Sequence, residues 1–196
     1  MSRTSARHRT TAESDVSVRL DLDSSAPPVV STGLPFFDHM LAQLGKHSGV
    51  SLEVTASGDL HVDAHHTVED VGIVLGEALA EALGDKAGIR RFASGSLPLD
   101  ESLVSVALDL SGRAYLHYDV EVGEVAPLGS PPFEPQLAEE FWRAFVNGAG
   151  ITLHVTLAYG RNPHHILEAS FKGVARALHD AIRIEGAGVP STKGTL

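Results

Sequence analysis

The chain contains no cysteine, so no disulfide can staple it and no thiolate can hold a metal; any bound ion must take nitrogen and oxygen ligands. Its longest apolar runs are only a few residues, which excludes a membrane-spanning helix, and the N-terminal stretch MSRTSARHRTTAESD has no hydrophobic segment of the secretory kind. The expected location is the cytoplasm, with no membrane partner. Basic residues are in the minority, 15 Lys and Arg against 25 Asp and Glu, and they are scattered. The resulting formal charge of −10 argues against a nucleic-acid partner, because phosphate backbones are held by clustered cations. A small anionic substrate stays compatible, since one or two local Arg or Lys residues bind a single phosphate whatever the net charge.

What is present in quantity is apolar sequence, 43% of 196 residues, enough for a sizeable core, and histidine, eleven in all. Alternating and helical periodicities predict strands over 14–23 and 29–32, a helix over 36–46, a strand over 50–55 and a helix over 65–83. They continue with runs 103–110 and 114–122, read as a hairpin turning at Ser111-Gly112, a helix over 137–147, a strand over 151–159 and a helix over 165–184. The order is ββαβα followed by ββαβα. The sequence itself repeats: GVSLEV from Gly49 aligns with GITLHV from Gly150, and HHTVE from His65 with HHILE from His164. The expected fold is α+β, with a first half over 9–98 and a second over 99–186 packed into a single compact domain. Spacing leaves open whether the halves meet through their helices or their sheets. Residues 1–8 and the tail after Gly186 show no periodicity and are expected to be flexible unless a ligand orders them.

The repeated HHxxE pattern carries the chemistry. On a helix, Glu69 lies over His65 and borders His66, and Glu168 does the same for His164 and His165. Adjacent histidines diverge by about 100° around a helix, so each pair suits two different ions better than one. One HxxxE on a helix is usually a solvated face; the same pattern at equivalent places in two diverged repeats is not explained by helix propensity. Two copies supply four imidazoles and two carboxylates, with His39 and His154 as further candidate ligands, and Mn, Fe, Co, Ni and Zn all suit such a set. On the first of these helices Val68, Val71, Leu75, Ala78 and Leu79 form the core stripe, so the ligands point away from it. A half-complete, outward-facing set predicts a homo-oligomer with sites at its interfaces. His8, His61, His117 and His179 read as surface residues and His47 as structural.

Seven segments, taken in order, resemble the imidazoleglycerol-phosphate dehydratase family: LPFFDHML from Leu34, GDLHVDAHHTVED from Gly58, LDES from Leu99, SGRAYL from Ser111, GITLHV from Gly150, GRNPHHILEASFK from Gly160 and PSTKG from Pro190. The resemblance runs from about Arg9 to the C-terminus. Ala114 stands where the family pattern has Pro, and 123–136 is unusually rich in Pro. The resemblance implies two ferredoxin-like halves (the ribosomal protein S5 domain 2-like fold), two Mn2+ per active site, and trimers assembled into a 24-mer. It also implies the reaction, loss of water from D-erythro-1-(imidazol-4-yl)glycerol 3-phosphate to give 3-(imidazol-4-yl)-2-oxopropyl phosphate in L-histidine biosynthesis. The ring, held by metal as an imidazolate, would expel the neighbouring hydroxyl through a diazafulvene-like intermediate.

Carried over by motif position, His39, His65, His66, Glu69, His154, His164, His165 and Glu168 are the metal ligands, with His66 and Glu69 also counted among the catalytic residues. Glu13, in TTAES, is the candidate acid/base at carbon, with Asp100 of LDES the second candidate. Arg91, Arg113, Ser191 and Lys193 are the phosphate-binding candidates, and the tail that carries the last two is expected to close over substrate. The competing enzyme class is a two-metal phosphatase, whose ions are usually bridged by carboxylates rather than surrounded by imidazole. A metal-storing shell is the non-catalytic alternative.

Overall fold

The computed structural model describes residues 2–196. The chain runs β1 (Thr4–Thr10), β2 (Ser14–Asp21), β3 (Val29–Ser31), α1 (Pro35–Ser48), β4 (Ser51–Gly58) and α2 (His65–Leu83). It then repeats that order as β5 (Phe92–Leu99), β6 (Ser102–Asp109), β7 (Tyr115–Asp119), α3 (Leu137–Ala149), β8 (Thr152–Tyr159) and α4 (Pro163–Ala181). The first sheet is ordered β1-β2-β4-β3 and the second β5-β6-β8-β7, each with one parallel pair at the β3 or β7 edge. The α+β class and the duplication stand, and every half has one strand more than periodicity predicts.

The extra strands are β1 and β5, and the reason they escape a hydrophobicity reading is physical. Both are edge strands, exposed along most of their length, so neither needs alternating apolar residues. β5 even carries Gly95 and Pro98, which an edge tolerates. Residues 4–8, expected in a flexible tail, are therefore held in register against β2, with Thr4 opposite Asp21 and His8 opposite Ser17. The expected hairpin of 103–110 with 114–122 is corrected as well. β6 and β7 do not pair; β8 lies between them, antiparallel to β6 and parallel to β7, and the hairpin partner of β6 is β5.

The halves meet through their helices. α2 packs on α3 and α1 on α4, with the two sheets on the outside, and buried residues of both halves form one continuous core. Trp142, Phe37, Phe133, Phe141, Phe145 and Phe171 fill its centre, with ring centroids 4.7 Å apart for Trp142 and Phe171 and 5.4 Å for Phe37 and Phe141. α1 and α3 both stop at a glycine in the left-handed region, Gly49 at φ 69° and Gly150 at φ 62°. α2 and α3 cross at glycines. A methyl group on Gly76 would lie 2.4 Å from the Phe145 carbonyl oxygen, and one on Gly148 would lie 2.7 Å from that of Ile73. This approach predicts that Gly76→Ala destabilises the fold by about 1–3 kcal/mol, lowering the melting temperature by several degrees in thermal denaturation. Gly95→Ala, with nothing within 4 Å of the new methyl, should stay within about 0.5 kcal/mol of the parent.

Candidate functional site

α4 begins with Pro163 in its first turn, and the Asn162 side chain accepts the His164 backbone N–H at 3.0 Å, which places His164 and His165 on the first turn of a well-capped helix. One turn on, Glu168 is buried beneath them. Its Oε2 lies 3.0 Å from His164 Nε2 and 3.5 Å from His39 Nε2, which α1 brings alongside. Three ligand atoms from His39, His164 and Glu168 thus fall within 4.8 Å of one another. The other oxygen of Glu168 accepts Lys172 Nζ at 2.6 Å. Burial pushes the Glu168 carboxyl up, but the Lys172 hydrogen bond and charge, with His39 and His164, more than offset it and keep the carboxylate charged. Two imidazoles and one anionic oxygen suit a borderline divalent ion and leave coordination positions open.

Within each pair the rings are nearly perpendicular, 89° for His65 and His66 and 85° for His164 and His165, so the two members face different directions. The second member is oriented from behind by a carboxylate. His165 Nδ1 lies 2.8 Å from Glu101 Oε2, and His66 Nδ1 lies 3.0 Å from Asp59 Oδ2, with Glu13 Oε2 at 3.9 Å. These hydrogen bonds raise both imidazole pKa values, and they direct each Nε2 outward, the arrangement by which a carboxylate sets a metal-binding histidine. Glu101 also accepts the backbone N–H groups of Arg161 at 3.1 Å and Asn162 at 2.7 Å, and its hydrogen bonds, His165 first, hold its carboxyl far below the usual range.

Sequence reasoning named Asp100 rather than Glu101. Asp100 sits at the exposed tip of the β5–β6 turn with φ 48°, its Oδ2 3.9 Å from His165 Nε2. The signal that singles out Glu101 is a second repeat, Glu13-Ser14-x-Val16-Ser17-Val18 against Glu101-Ser102-x-Val104-Ser105-Val106. It makes Glu101 the counterpart of Glu13, each on the turn between the first two strands of its half. Asp59 and Lys172 were also missed; Lys172 was readable as the i+4 neighbour of Glu168.

His154 is the expected ligand that does not join the others. β8 buries Leu153 and Val155 against the helices, so period-two alternation puts His154 on the outer face of the second sheet, its ring 5.5 Å from those of His117 and Tyr115. The counterpart of His39 lies elsewhere. Counting back ten residues from the helix-ending Gly49 gives His39, and ten back from Gly150 gives Glu140 on α3. Glu140 and Glu69 line one cavity of about 340 Å³ where α3 crosses α2. Among the described residues, no three His or carboxylate groups of the first half converge as His39, His164 and Glu168 do.

All four phosphate candidates, Arg91, Arg113, Ser191 and Lys193, line a single open cavity of about 680 Å³. Arg91 is fixed by Asp109, through Nε at 2.7 Å and Nη2 at 3.2 Å, and its Nη1 donates to the Pro190 carbonyl at 2.8 Å, tying the tail down. This cradle and the histidines occupy opposite ends of the chain's framework. β6 runs from Ser102, beside Glu101 and His165, to Asp109, beside Arg91. Its length puts the two about 23 Å apart at the rise of a strand. The cradle is no nearer the other pair: the loop bearing Arg91 follows the C-terminal end of α2, and His65 begins that helix, about 27 Å away by the helical rise.

The chain matches the model of the family described as Imidazoleglycerol-phosphate dehydratase over residues 32–178. It is similar to proteins of that name from Acidothermus cellulolyticus, 56% identical with 96% of this chain and 90% of the relative covered, and Methanoculleus marisnigri, 51% identical with 99% and 100% covered. The crystal structure of imidazoleglycerol-phosphate dehydratase from Staphylococcus aureus superposes with a TM-score of 0.82 at 37% identity, covering 94% of this chain and 99% of the other. That from Pyrococcus furiosus gives 0.82 at 36% identity, with 97% and 100% covered. With this agreement in sequence, fold and length, the chain belongs to the imidazoleglycerol-phosphate dehydratase family of hydro-lyases.

Proposed function

We propose that the chain dehydrates D-erythro-1-(imidazol-4-yl)glycerol 3-phosphate to 3-(imidazol-4-yl)-2-oxopropyl phosphate, in the cytoplasm, as a step of L-histidine biosynthesis. The observation that carries this reading is the presence, on one chain of this family, of a converged His39, His164, Glu168 trio and a separate cationic cradle of Arg91, Arg113, Ser191 and Lys193. One part suits the imidazole end of the substrate through metal, the other its phosphate.

His39, His164 and Glu168 would hold one ion, and His65 and Glu69, with Glu140, half of the shell of a second. His66 and His165 present Nε2 outward to complete shells with a neighbour. Two Mn2+ ions held by these residues would supply the charge that keeps the substrate's ring deprotonated and so favours loss of the adjacent hydroxyl. The hydrogen removed with that hydroxyl sits on the next carbon. Glu13, exposed and on the same end of the fold as His66, takes that proton, and the resulting enol becomes the ketone by protonation beside the ring. Asp100 is the second candidate for proton transfer at the His165 end. Arg113 and Lys193 meet the phosphate dianion with charge, and Ser191 and the tail backbone with hydrogen bonds.

A substrate with three carbons between ring and phosphate cannot bridge 20 Å or more. The separation of histidines and cradle therefore supports a site assembled from several copies, trimers built into a 24-subunit shell, with each cradle facing the histidines of a neighbour.

Anaerobic turnover by metal-stripped protein should be absent and should return with Mn2+. His66→Ala should lose both metal affinity and turnover, and Glu13→Gln turnover alone by about 10²–10⁴-fold. Release of inorganic phosphate in place of the ketone would identify a phosphatase instead. Glu101→Gln should keep the fold and weaken metal binding by about 10–100-fold, measured by titration of the apoprotein, because His165 loses the carboxylate that orients it.

A further inference from the structure

The two halves hold their turn carboxylates differently. Glu101 is heavily engaged: His165 Nδ1 lies 2.8 Å from one oxygen, and the other accepts the Ser102 hydroxyl at 3.0 Å and the N–H groups of Arg161 and Asn162. Glu13 sits on the equivalent turn, yet its side chain is 54% exposed and its oxygen stands 3.9 Å from His66.

The groups that would claim Glu13 are held instead by two acidic residues that the second half lacks. The residue after β4 is Asp59, which takes His66 Nδ1 at 3.0 Å, whereas the residue after β8 is Gly160. Ser14, the counterpart of Ser102, donates its hydroxyl to Asp70 Oδ2 at 2.5 Å, and Arg9 Nε holds Asp70 Oδ1 at 3.2 Å. Asp70 follows Glu69 as Ala169 follows Glu168, and Arg9 stands opposite Val16 as Leu97 stands opposite Val104. One half thus has an ion pair where the other has an apolar pair, so the fold does not require the charges. Asp70 and Ser14 are 6% and 5% exposed, which leaves the Ser14 hydroxyl dependent on protein acceptors. Thr11 Oγ1, 3.4 Å from that hydroxyl, already accepts the N–H groups of Glu13 at 3.1 Å and Ser14 at 3.0 Å.

Resting on the reading of Glu13 as the acid/base, we infer that Asp70 is its positioning residue: by accepting the Ser14 hydroxyl, Asp70 keeps the Glu13 carboxylate free to exchange a proton with substrate. Without Asp70 the hydroxyl turns to Glu13, as that of Ser102 turns to Glu101. A carboxylate engaged in this way is a poorer base, because it gives up a charge-assisted hydrogen bond as it takes the proton.

The test compares the metal-loaded assembly of wild type, Asp70→Ala, Asp70→Asn, the double variant Ser14→Ala/Asp70→Ala, and Glu13→Gln. Melting temperature and metal affinity are measured on each beside turnover of the phosphorylated triol. Asp70→Ala should lower kcat about tenfold or more, with KM and metal affinity within about twofold of wild type. The double variant should recover most of that loss, because no hydroxyl is left to engage Glu13; deleting a second group does not repair a missing prop. Asp70→Asn, whose amide oxygen still accepts Ser14, should recover most of it too. If Asp70→Ala does not fold, Asp70→Leu, which fills the volume, replaces it with the same expectations, alone and with Ser14→Ala. A double variant no better than the single one would overturn the inference, as would unchanged kcat with only a lower melting temperature; either makes Asp70 a prop of the β1–β2 turn. Full turnover by Glu13→Gln would instead remove the acid/base reading on which the inference rests.

Discussion

The structure depends on how closely α2 and α3 approach. Gly72, Gly76 and Gly148 let the two backbones touch where any side chain would hold them apart, and the pseudo-twofold relation between the halves follows from that crossing. Because the helices are sealed between the two sheets, the only parts of them that reach the surface are their ends and flanks. The histidine pairs are found on first turns for this reason. A pair further along either helix would be buried among Phe141, Trp142 and Phe171 or covered by a sheet.

Duplication also explains why the two ends of the fold are chemically similar without being identical. Each half offers a histidine pair, a glutamate one turn later, and a turn carrying Glu13 or Glu101. The halves then diverge. Glu101 binds His165 closely, whereas Glu13 stands off from His66, whose nitrogen is held by Asp59 instead. One carboxylate is tied to its histidine and its counterpart stays exposed.

Much of this was legible in the sequence because burial and repetition both leave marks. The alternation in β2, β4, β6 and β8 is that of strands with one face in the core, and HHxxE recurs at the start of α2 and of α4. Legibility failed where neither mark is made. β1 and β5 bury too little to alternate, and the pairing of β7 with β8 rather than β6 is a matter of crossover that local pattern does not encode. His154 lies apart from His39, His164 and Glu168 for a related reason: a motif tells which residue is present, but the pleat of β8 decides its face. Arg91, Arg113, Ser191 and Lys193, scattered over a hundred positions, are grouped in the sequence only by the family pattern, and the fold sets them around one cavity.

The 23 Å between the two ends of β6 has a genetic consequence. If a site draws its histidines from one copy and its cradle from another, a lesion in either part is not confined to the copy that bears it. A subunit without its cradle disables a neighbour's histidines while its own still serve, so two differently damaged copies, mixed before assembly, restore some whole sites that neither makes alone. Mixing a damaged copy with an intact one would instead remove sites in proportion to the contacts it makes.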